Sequence, residues 1–247
     1  MTDVSRLRII AGPNGSGKST IKAILPPVLL GIYINPDEIE EKIRNSRVLD
    51  LKAFGIEASR EEVVSFFEKS TLLQKNDLVN VSKDIRLTGT ELSFLDVKMN
   101  SYFASVIADF IRRKVLEKKE SFTFETVMSS RDKIEILDEA KSLGYRVYLY
   151  YIATEDPEIN ISRIRNRVHL KGHSVPDDKV KDRYYRSLGL LIDAIKKSNR
   201  AYIFDNSTEG KEKVWLAEIT DGQTMEFKND LVPLWFKTAV LDKIDTH

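Results

Sequence analysis

The chain has 247 residues, of which 42% are hydrophobic, so it can bury a large core without cross-links. It contains no cysteine, which excludes disulfides, thiolate metal sites and a cysteine nucleophile. Its 39 Lys and Arg residues balance 38 Asp and Glu, which disfavours a uniformly basic, nucleic-acid-coating protein. Because no run of 18 uncharged apolar residues and no signal-peptide core is present, we expect a soluble cytoplasmic protein with no membrane partner.

Five continuous apolar runs predict strands buried on both faces, as in a parallel sheet. They are Leu7–Ala11, Gly31–Asn35, Phe122–Glu125, Arg146–Ala153 and Ala201–Asp205. Helical patterns separate them, at Ser19–Ala23, Asp37–Arg44, Ser130–Leu143, Pro157–Val168 and Pro176–Ser198. This alternation predicts a three-layer α/β/α fold with a mainly parallel, five-stranded sheet.

We predict one domain over residues 1–247, with three additions to this core. Residues 46–119 show only helical patterns and predict a helical insertion. Residues 157–198 predict a pair of helices, and residues 211–247 predict a C-terminal hairpin and a short helix around Pro233–Leu241. The hairpin prediction rests on the turn sequence Thr220-Asp221-Gly222-Gln223 between two strand-like runs.

A complete phosphate-binding motif follows the first predicted strand. Residues 12–19 read Gly-Pro-Asn-Gly-Ser-Gly-Lys-Ser and match G-x-x-x-x-G-K-[ST], the pattern of the P-loop NTPases. We expect the backbone N–H groups to face phosphate oxygens, Lys18 to reach the β- and γ-phosphates, and Ser19 to ligate Mg²⁺. The predicted nucleotide-binding residues are Gly12, Pro13, Asn14, Gly15, Ser16, Gly17, Lys18, Ser19 and Thr20, together with Asn206.

Two carboxylates lie where predicted strands end, the edge at which open α/β sheets bind ligands. Asp37 could orient an acceptor hydroxyl and take its proton, or simply serve as a helix-start residue. Glu125, beside Thr126, could bind the acceptor or a Mg²⁺-bound water, or cap the following helix. The last predicted strand ends at Asp205 like a Walker B strand, but its late position favours the rim of the nucleotide pocket, with Asn206 on the adjoining loop.

Basic residues are concentrated between Arg163 and Arg186. Pro157 and Pro176 predict helix starts that place Arg163 with Arg167 on one helix, and Arg183 with Arg186 on the next. Such a helix–loop–helix suits a lid that closes over phosphates, where arginines stabilise the transferring group. The alternatives are a solvated helix face with pairs such as Asp182–Arg186, and a nucleic-acid patch that includes Tyr184 and Tyr185, which the short stretch disfavours. His173, in the loop, could contact a phosphate or cap the loop.

These residues resemble the zeta toxin family of P-loop kinases over roughly Arg6 to Asn206. The matching features are Gly12–Thr20, Ile34–Glu38, Phe124–Thr126, Gly144–Arg146 and Asn166–Pro176. The resemblance implies that Asp37 is the catalytic base, that Glu125 belongs to a sugar-nucleotide site, and that Arg167 contacts the phosphates. His173 stands where family members carry a second lid arginine, and we expect Arg183 or Arg186 to substitute for it.

The sequence therefore predicts a kinase that uses ATP (or GTP) and Mg²⁺, with Lys18, Asp37, Arg163 and Arg167 as catalytic residues. The acceptor implied by the resemblance is a hydroxyl of UDP-N-acetylglucosamine, with Glu125, Thr126, His173, Arg183 and Arg186 as substrate-binding residues. The resemblance also implies an antitoxin partner. Three alternatives remain: a kinase of an antibiotic or a polynucleotide end, a nucleotide-dependent switch or ATPase, and a module that binds nucleotide without chemistry.

Overall fold

The computed structural model describes residues 4–169 and 175–244. They cluster into two compact units, one formed by Met1–Leu30 with Glu125–His247 and the other by Gly31–Phe124. None of the described helices is both long and apolar enough to cross a membrane.

Ten strands lie within the described residues. They are β1 (Arg6–Ala11), β2 (Ile32–Ile34), β3 (Val48–Asp50), β4 (Arg86–Thr88), β5 (Glu91–Ser93), β6 (Phe122–Thr126), β7 (Arg146–Ala153), β8 (Arg200–Asp205), β9 (Val214–Thr220) and β10 (Thr224–Phe227). The five strands predicted from apolar runs are all present, as β1, β2, β6, β7 and β8.

The first unit is built on a sheet in which β1 pairs with β7, and β7 with β8, all in parallel. The pairing is in register from Arg6 opposite Arg146 to Ala11 opposite Tyr151. Because β1 is buried from Leu7 to Ala11, helices must cover both faces, which is why this strand reads as one apolar run. The predicted mixed α/β fold with a mostly parallel sheet is confirmed.

Twelve α-helical segments are described. They are α1 (Lys18–Ile24), α2 (Pro27–Leu30), α3 (Pro36–Ser46), α4 (Arg60–Glu68), α5 (Thr71–Gln74), α6 (Val79–Ser82), α7 (Ser101–Glu117), α8 (Asp132–Ser142), α9 (Pro157–His169), α10 (Asp177–Lys196), α11 (Leu234–Phe236) and α12 (Asp242–Ile244). A 3-10 turn covers Leu51–Phe54, and a π-helical stretch, Lys237–Leu241, joins α11 to α12. As predicted, α9 starts at Pro157 and α10 directly follows Pro176.

The predicted hairpin extends the same sheet beyond the five strands predicted for it, since β9 pairs antiparallel with both β8 and β10. Asp221 and Gly222 have φ of 50° and 67°, the two positive values of a type I′ turn. The N–H of Gln223 closes the turn on the carbonyl oxygen of Thr220 at 3.1 Å. The turn residues and the two strand-like runs beside them were thus sufficient to predict this connection.

The second unit contains α3 packed against α7, with β2 paired in parallel to β6. It also contains a three-stranded antiparallel sheet in the order β3-β5-β4, which the prediction of a purely helical segment at 46–119 missed. Each of these strands has three residues, and the buried pair Leu49 and Leu92 forms the centre of the sheet. An alternation needs four or more residues to be recognised, so strands this short give no periodic signal.

Candidate functional site

The loop of residues 12–19, called the phosphate loop below, joins β1 to α1 and is pressed against neighbouring backbone. A Cβ atom on Gly12 would lie 2.0 Å from the carbonyl oxygen of Ile152 in β7. One on Gly15 would lie 2.6 Å from the carbonyl oxygen of Asn160 in α9. Both glycines also have positive φ, 146° and 76°, which side-chain-bearing residues rarely adopt. The loop therefore has no room for a side chain at either position.

Lys18 reaches back over this loop. Its Nζ donates hydrogen bonds to the carbonyl oxygens of Gly12 and Pro13, each at 3.0 Å. The Oγ of Ser16 is fully buried inside the loop and has no hydrogen-bond partner within the described part of the chain. Because an unpaired buried hydroxyl is costly, this atom indicates a position that a ligand oxygen would satisfy.

The first turn of α1 carries two hydroxyls in different situations. Both residues are exposed, and the Thr20 hydroxyl is turned back to the loop, where its Oγ1 donates to the carbonyl oxygen of Gly17 at 2.8 Å. Ser19 is therefore the better placed of the two to ligate a metal ion. Among the residues described, no group of three or more His, Asp or Glu side chains could hold a metal by itself. A serine hydroxyl together with phosphate oxygens fits Mg²⁺, which keeps few protein ligands.

Two asparagine amides, the half-buried Asn206 after β8 and the buried Asn160 of α9, hold the phosphate loop in place. Asn206 Nδ2 donates to the carbonyl oxygen of Ser16 at 2.8 Å, so this predicted nucleotide-binding residue holds the loop itself. Asn160 Nδ2 donates to the carbonyl oxygen of Asn14 at 2.6 Å, and its Oδ1 accepts a hydrogen bond from Thr154 Oγ1. This role of Asn160 has no signal in the sequence, because a lone asparagine in a helical pattern belongs to no motif.

The helix α9 places arginines on the side that contacts the loop. Arg163 and Arg167 follow Asn160 by three and seven residues, so all three share one helix face. Arg163 Nη1 is buried and makes no hydrogen bond to any described residue. Arg165, on another face, pairs with Asp177. Arg165 thus has an acidic partner that matches its charge, whereas Arg163 Nη1 has no hydrogen-bond partner among the described residues.

The helix α10 carries the remaining predicted arginines. Arg186 Nη2 pairs with Asp182 at 2.6 Å on the solvent side, as the alternative of a solvated helix face requires. Arg183 is half-buried. His173 lies outside the described residues, so its predicted contact with phosphate stays a prediction.

The two helices pack on each other and on the sheet. Ile161 and Ile164 of α9 meet Val180 of α10 in a small apolar cluster. Tyr184 OH donates to the carbonyl oxygen of Thr154 at 2.6 Å, and burial raises the pKa of this phenol above its usual value. Because its hydroxyl is committed to the sheet, Tyr184 is not a stacking surface for nucleic acid, although Tyr185 is exposed.

The zeta toxin family model matches residues 97–217, just under half of the chain. The matched span includes Glu125, α9 and α10, and it begins after the phosphate loop. An uncharacterized protein of Haemophilus influenzae is 40% identical over 63 residues, which make up 26% of this chain and 45% of that protein. The chain therefore matches less than half of the length of this relative.

Several solved structures are similar in fold. AvrRxo1-ORF1:AvrRxo1-ORF2 with sulphate ions has a TM-score of 0.54 at 16% identity, covering 92% of this chain and 62% of that chain. The same pair with ATP has a TM-score of 0.51 at 16% identity, covering 98% and 63%. The PezAT chromosomal toxin-antitoxin system of Streptococcus pneumoniae gives 0.51 at 14%, covering 100% and 80%. At these identities the likeness concerns the fold, and the chain spans under two thirds of the matched chain in the two AvrRxo1 structures.

The resemblance to the zeta toxin family is confirmed. Of the residues to which this resemblance assigns roles, Asp37 lies in the second unit, in the first turn of α3, and is exposed. The cap of that helix is Asn35, whose Oδ1 accepts from the N–H of Asp37 at 2.9 Å. The Asp37 carboxylate is therefore not the capping group. Its role as the base in a zeta toxin-type reaction stays a prediction.

The zeta toxin resemblance also assigns a substrate role to Glu125, with Thr126 beside it. Glu125 is half-buried near the end of β6. The Thr126 hydroxyl accepts a hydrogen bond from the N–H of Met128 at 3.0 Å, and Met128 has a φ of 55°. Thr126 therefore stabilises the turn after the strand. Its predicted contact with substrate stays a prediction.

The Asp205 carboxylate accepts hydrogen bonds from two residues, Trp235 and Ser207. Its Oδ2 accepts from Trp235 Nε1 and from Ser207 Oγ, both at 2.7 Å, and its Oδ1 accepts from the N–H of Ser207 at 2.9 Å. These donors fix the carboxylate between the end of β8 and the C-terminal helix. The acidic residue that gives β8 its likeness to a Walker B strand is thus held by hydrogen bonds to Trp235 and Ser207.

Proposed function

We propose that this protein is a phosphotransferase of the zeta toxin type, which moves the γ-phosphate of ATP or GTP to a hydroxyl of a small molecule. The proposed acceptor is a nucleotide sugar, UDP-N-acetylglucosamine being the one implied by the family resemblance. The family match and the kinase-like fold support the phosphotransferase class. The donor is further supported by the phosphate loop and its lysine.

The observation that carries this proposal is the direct contact between the phosphate loop and the arginine-bearing helix α9. Asn160 bonds to Asn14 at 2.6 Å, and the backbone of α9 is packed against Gly15. A simple NTP-binding module needs only the loop, whereas phosphoryl transfer also needs cations that follow the charge of the moving group. Arg163 and Arg167 share the face of α9 that contacts the loop.

In the proposed reaction, Asp37 accepts the proton of the acceptor hydroxyl as its oxygen attacks the γ-phosphorus. The bond to the oxygen that bridges the β- and γ-phosphates breaks, and ADP leaves with that electron pair. Lys18, Arg163 and Arg167 offset the charge on the phosphate oxygens. Ser19 would hold Mg²⁺, which when bound supplies further charge neutralisation and orients the β- and γ-phosphates.

Glu125 is the proposed acceptor-binding carboxylate, with Arg183 as a further cation. Arg186 is less suited to this role, because Asp182 already matches its charge. We also propose a protein partner, an antitoxin, because PezAT is a toxin–antitoxin system. No residue of the described chain argues for that partner independently.

The test is mass spectrometry of the products formed from MgATP and a panel of nucleotide sugars. We expect one member of the panel to gain a phosphoryl group, and Lys18→Ala to abolish that product. ATP hydrolysis without any phosphorylated acceptor would point instead to an ATPase or switch. Transfer to an antibiotic or a polynucleotide end would keep the kinase class and remove the proposed acceptor.

A further inference from the structure

We propose that Asn160 is a positioning residue, which couples the arginine helix α9 to the phosphate loop and so holds Arg163 in register with the γ-phosphate. The inference rests on the proposed function, because it needs a nucleoside triphosphate on the loop. It concerns a residue that neither the motif nor the family resemblance identified.

The Asn160 side chain is fully buried and both ends of its amide are engaged. The carbonyl oxygen of Asn14 can only accept a hydrogen bond, so it must face the amide NH₂ of Asn160. The opposite end of the amide accepts from the Thr154 hydroxyl, at the end of β7. The orientation of the amide is therefore fixed by two partners, and the bond from Thr154 is buried, so water does not compete for that end of the amide.

The backbone of α9 contacts the loop at the same residue. The carbonyl oxygen of Asn160 would lie 2.6 Å from a Cβ on Gly15, so glycine is what permits this approach. Because a helix is stiff over one turn, a contact that fixes Asn160 also fixes Arg163, which lies about 4.5 Å further along the axis. Any shift of the loop on nucleotide binding would thus be transmitted to the guanidinium.

Arg163 gives an independent reason to expect a ligand. Its Nη1 is buried without a hydrogen-bond partner in the described part of the chain, in contrast to the matched guanidinium of Arg165. A buried donor that lacks an acceptor lowers stability until an acceptor arrives. A γ-phosphate oxygen supplies an anionic acceptor that a diphosphate lacks.

The experiment compares the affinities of the full-length chain for MgATP and MgADP by isothermal titration calorimetry. Asn160→Asp keeps the acceptor for Thr154 but places an oxygen opposite the Asn14 carbonyl. We expect it to lower the ratio of ATP to ADP affinity by about tenfold, the weight of one hydrogen bond to a charged group. In an Arg163→Ala background the same change should leave the ratio unaltered.

The matched control is Asn206→Asp. It adds the same charge and breaks an equivalent amide bond to the loop, at Ser16, but it lies on no arginine-bearing helix. We expect it to weaken ATP and ADP alike, which separates coupling from general damage to the loop. Thr154→Val, which adds no charge, should lower the ratio in the same direction as Asn160→Asp and decides the matter if Asn160→Asp does not fold.

An unchanged ratio in Asn160→Asp or, failing its folding, in Thr154→Val would overturn the coupling and leave the proposed function standing. An equal fall of the ratio in Asn206→Asp would do the same. Failure of the unaltered chain to bind either nucleotide would instead overturn the nucleotide site, and the coupling with it.

Discussion

Asp37 and Glu38 occupy the same first turn of α3, and both are exposed. Each carboxylate interacts favourably with the positive end of the helix dipole, so each contributes to helix stability in a similar way. The zeta toxin resemblance assigns the role of base to Asp37 and not to its neighbour Glu38. Substituting each residue in turn therefore distinguishes a catalytic role from a role in starting the helix.

We predict that Asp37→Asn lowers kcat by at least about 100-fold, the usual weight of a general base, with little change in the free energy of unfolding. Glu38→Gln, the matched control, should retain activity. Steady-state kinetics with the identified acceptor, together with urea unfolding, check both statements. Equal losses of activity in the two variants would refute the assignment of Asp37.

Contiguous motifs can be recognised in the sequence, whereas contacts between residues far apart in the chain cannot. The tight loop between β1 and α1 was predictable because eight consecutive residues carry the whole signal, and its binding of phosphate stays a prediction. Asn160 bonds to a residue 146 positions away, and a single asparagine in a helix gives no local sign of such a contact. The pair of Arg186 with Asp182, one helical turn away, could be predicted from the sequence. The burial of Arg163 Nη1 without a hydrogen-bond partner among the described residues could not, because it depends on the fold around α9.

At the scale of elements, β7 is the strand against which the unit is organised. It pairs with β1 on one side and β8 on the other. Two tyrosines on this strand are buried differently: Tyr150 stacks on Tyr202 of β8, and Tyr151 bonds to Ser187 of α10. Burial raises the pKa of Tyr150 to about 12 and that of Tyr151 further.

These shifts predict a loss of stability at high pH. The folded chain keeps the Tyr150 proton up to about pH 12, whereas the unfolded chain releases it near pH 10. The stabilisation that this pKa difference gives the folded chain is therefore complete below pH 10 and is lost as the pH rises through about 12. Over that range the free energy of unfolding falls by up to about 1.4 kcal/mol per pH unit. Urea unfolding at pH 9 and 11 should show that the free energy of unfolding falls less between the two pH values for Tyr150→Phe than for the unaltered chain. An equal fall in both chains would contradict the raised pKa of Tyr150.

Elements differed in how far the sequence predicted them. Long apolar runs predicted the five strands of the parallel sheet, and the Asp221-Gly222 turn between two strand-like runs predicted the hairpin. The β3-β5-β4 sheet was missed because strands of three residues are defined by pairing across the chain, such as Leu49 with Leu92, and not by local periodicity. Tertiary pairing, which the sequence does not display, thus decided the structure of 46–93.

At the scale of the whole molecule, the C-terminal segment is part of the first unit. The strand β9 pairs with β8, and Trp235 Nε1 donates to the buried Asp205. The N–H of Leu234 donates to Glu155 Oε1 at 3.0 Å, just before α9 begins. These contacts attach α11 to the ends of the same strands that support the phosphate loop. We therefore expect the segment to fold and unfold with the sheet.

The two tryptophans of the chain make this expectation measurable. Trp235 is 3% exposed and bonds to a carboxylate, whereas Trp215 is 38% exposed and bonds to the carbonyl oxygen of Ala217 at 3.1 Å. Trp235→Phe should lower the free energy of unfolding by about 1.5–3 kcal/mol, because it removes a hydrogen bond to a buried charged group. Trp215→Phe should lower the free energy of unfolding by less, and it leaves Trp235 as the single reporter.

Urea unfolding followed by fluorescence then compares the two single-tryptophan variants. In Trp215→Phe the emission of Trp235 should shift to the red, and in Trp235→Phe the emission of Trp215 should change. Once the difference in stability between the variants is corrected for, both transitions should occur at the same urea concentration. An earlier transition of Trp235 alone would mean that the C-terminal helix detaches while the sheet stays folded.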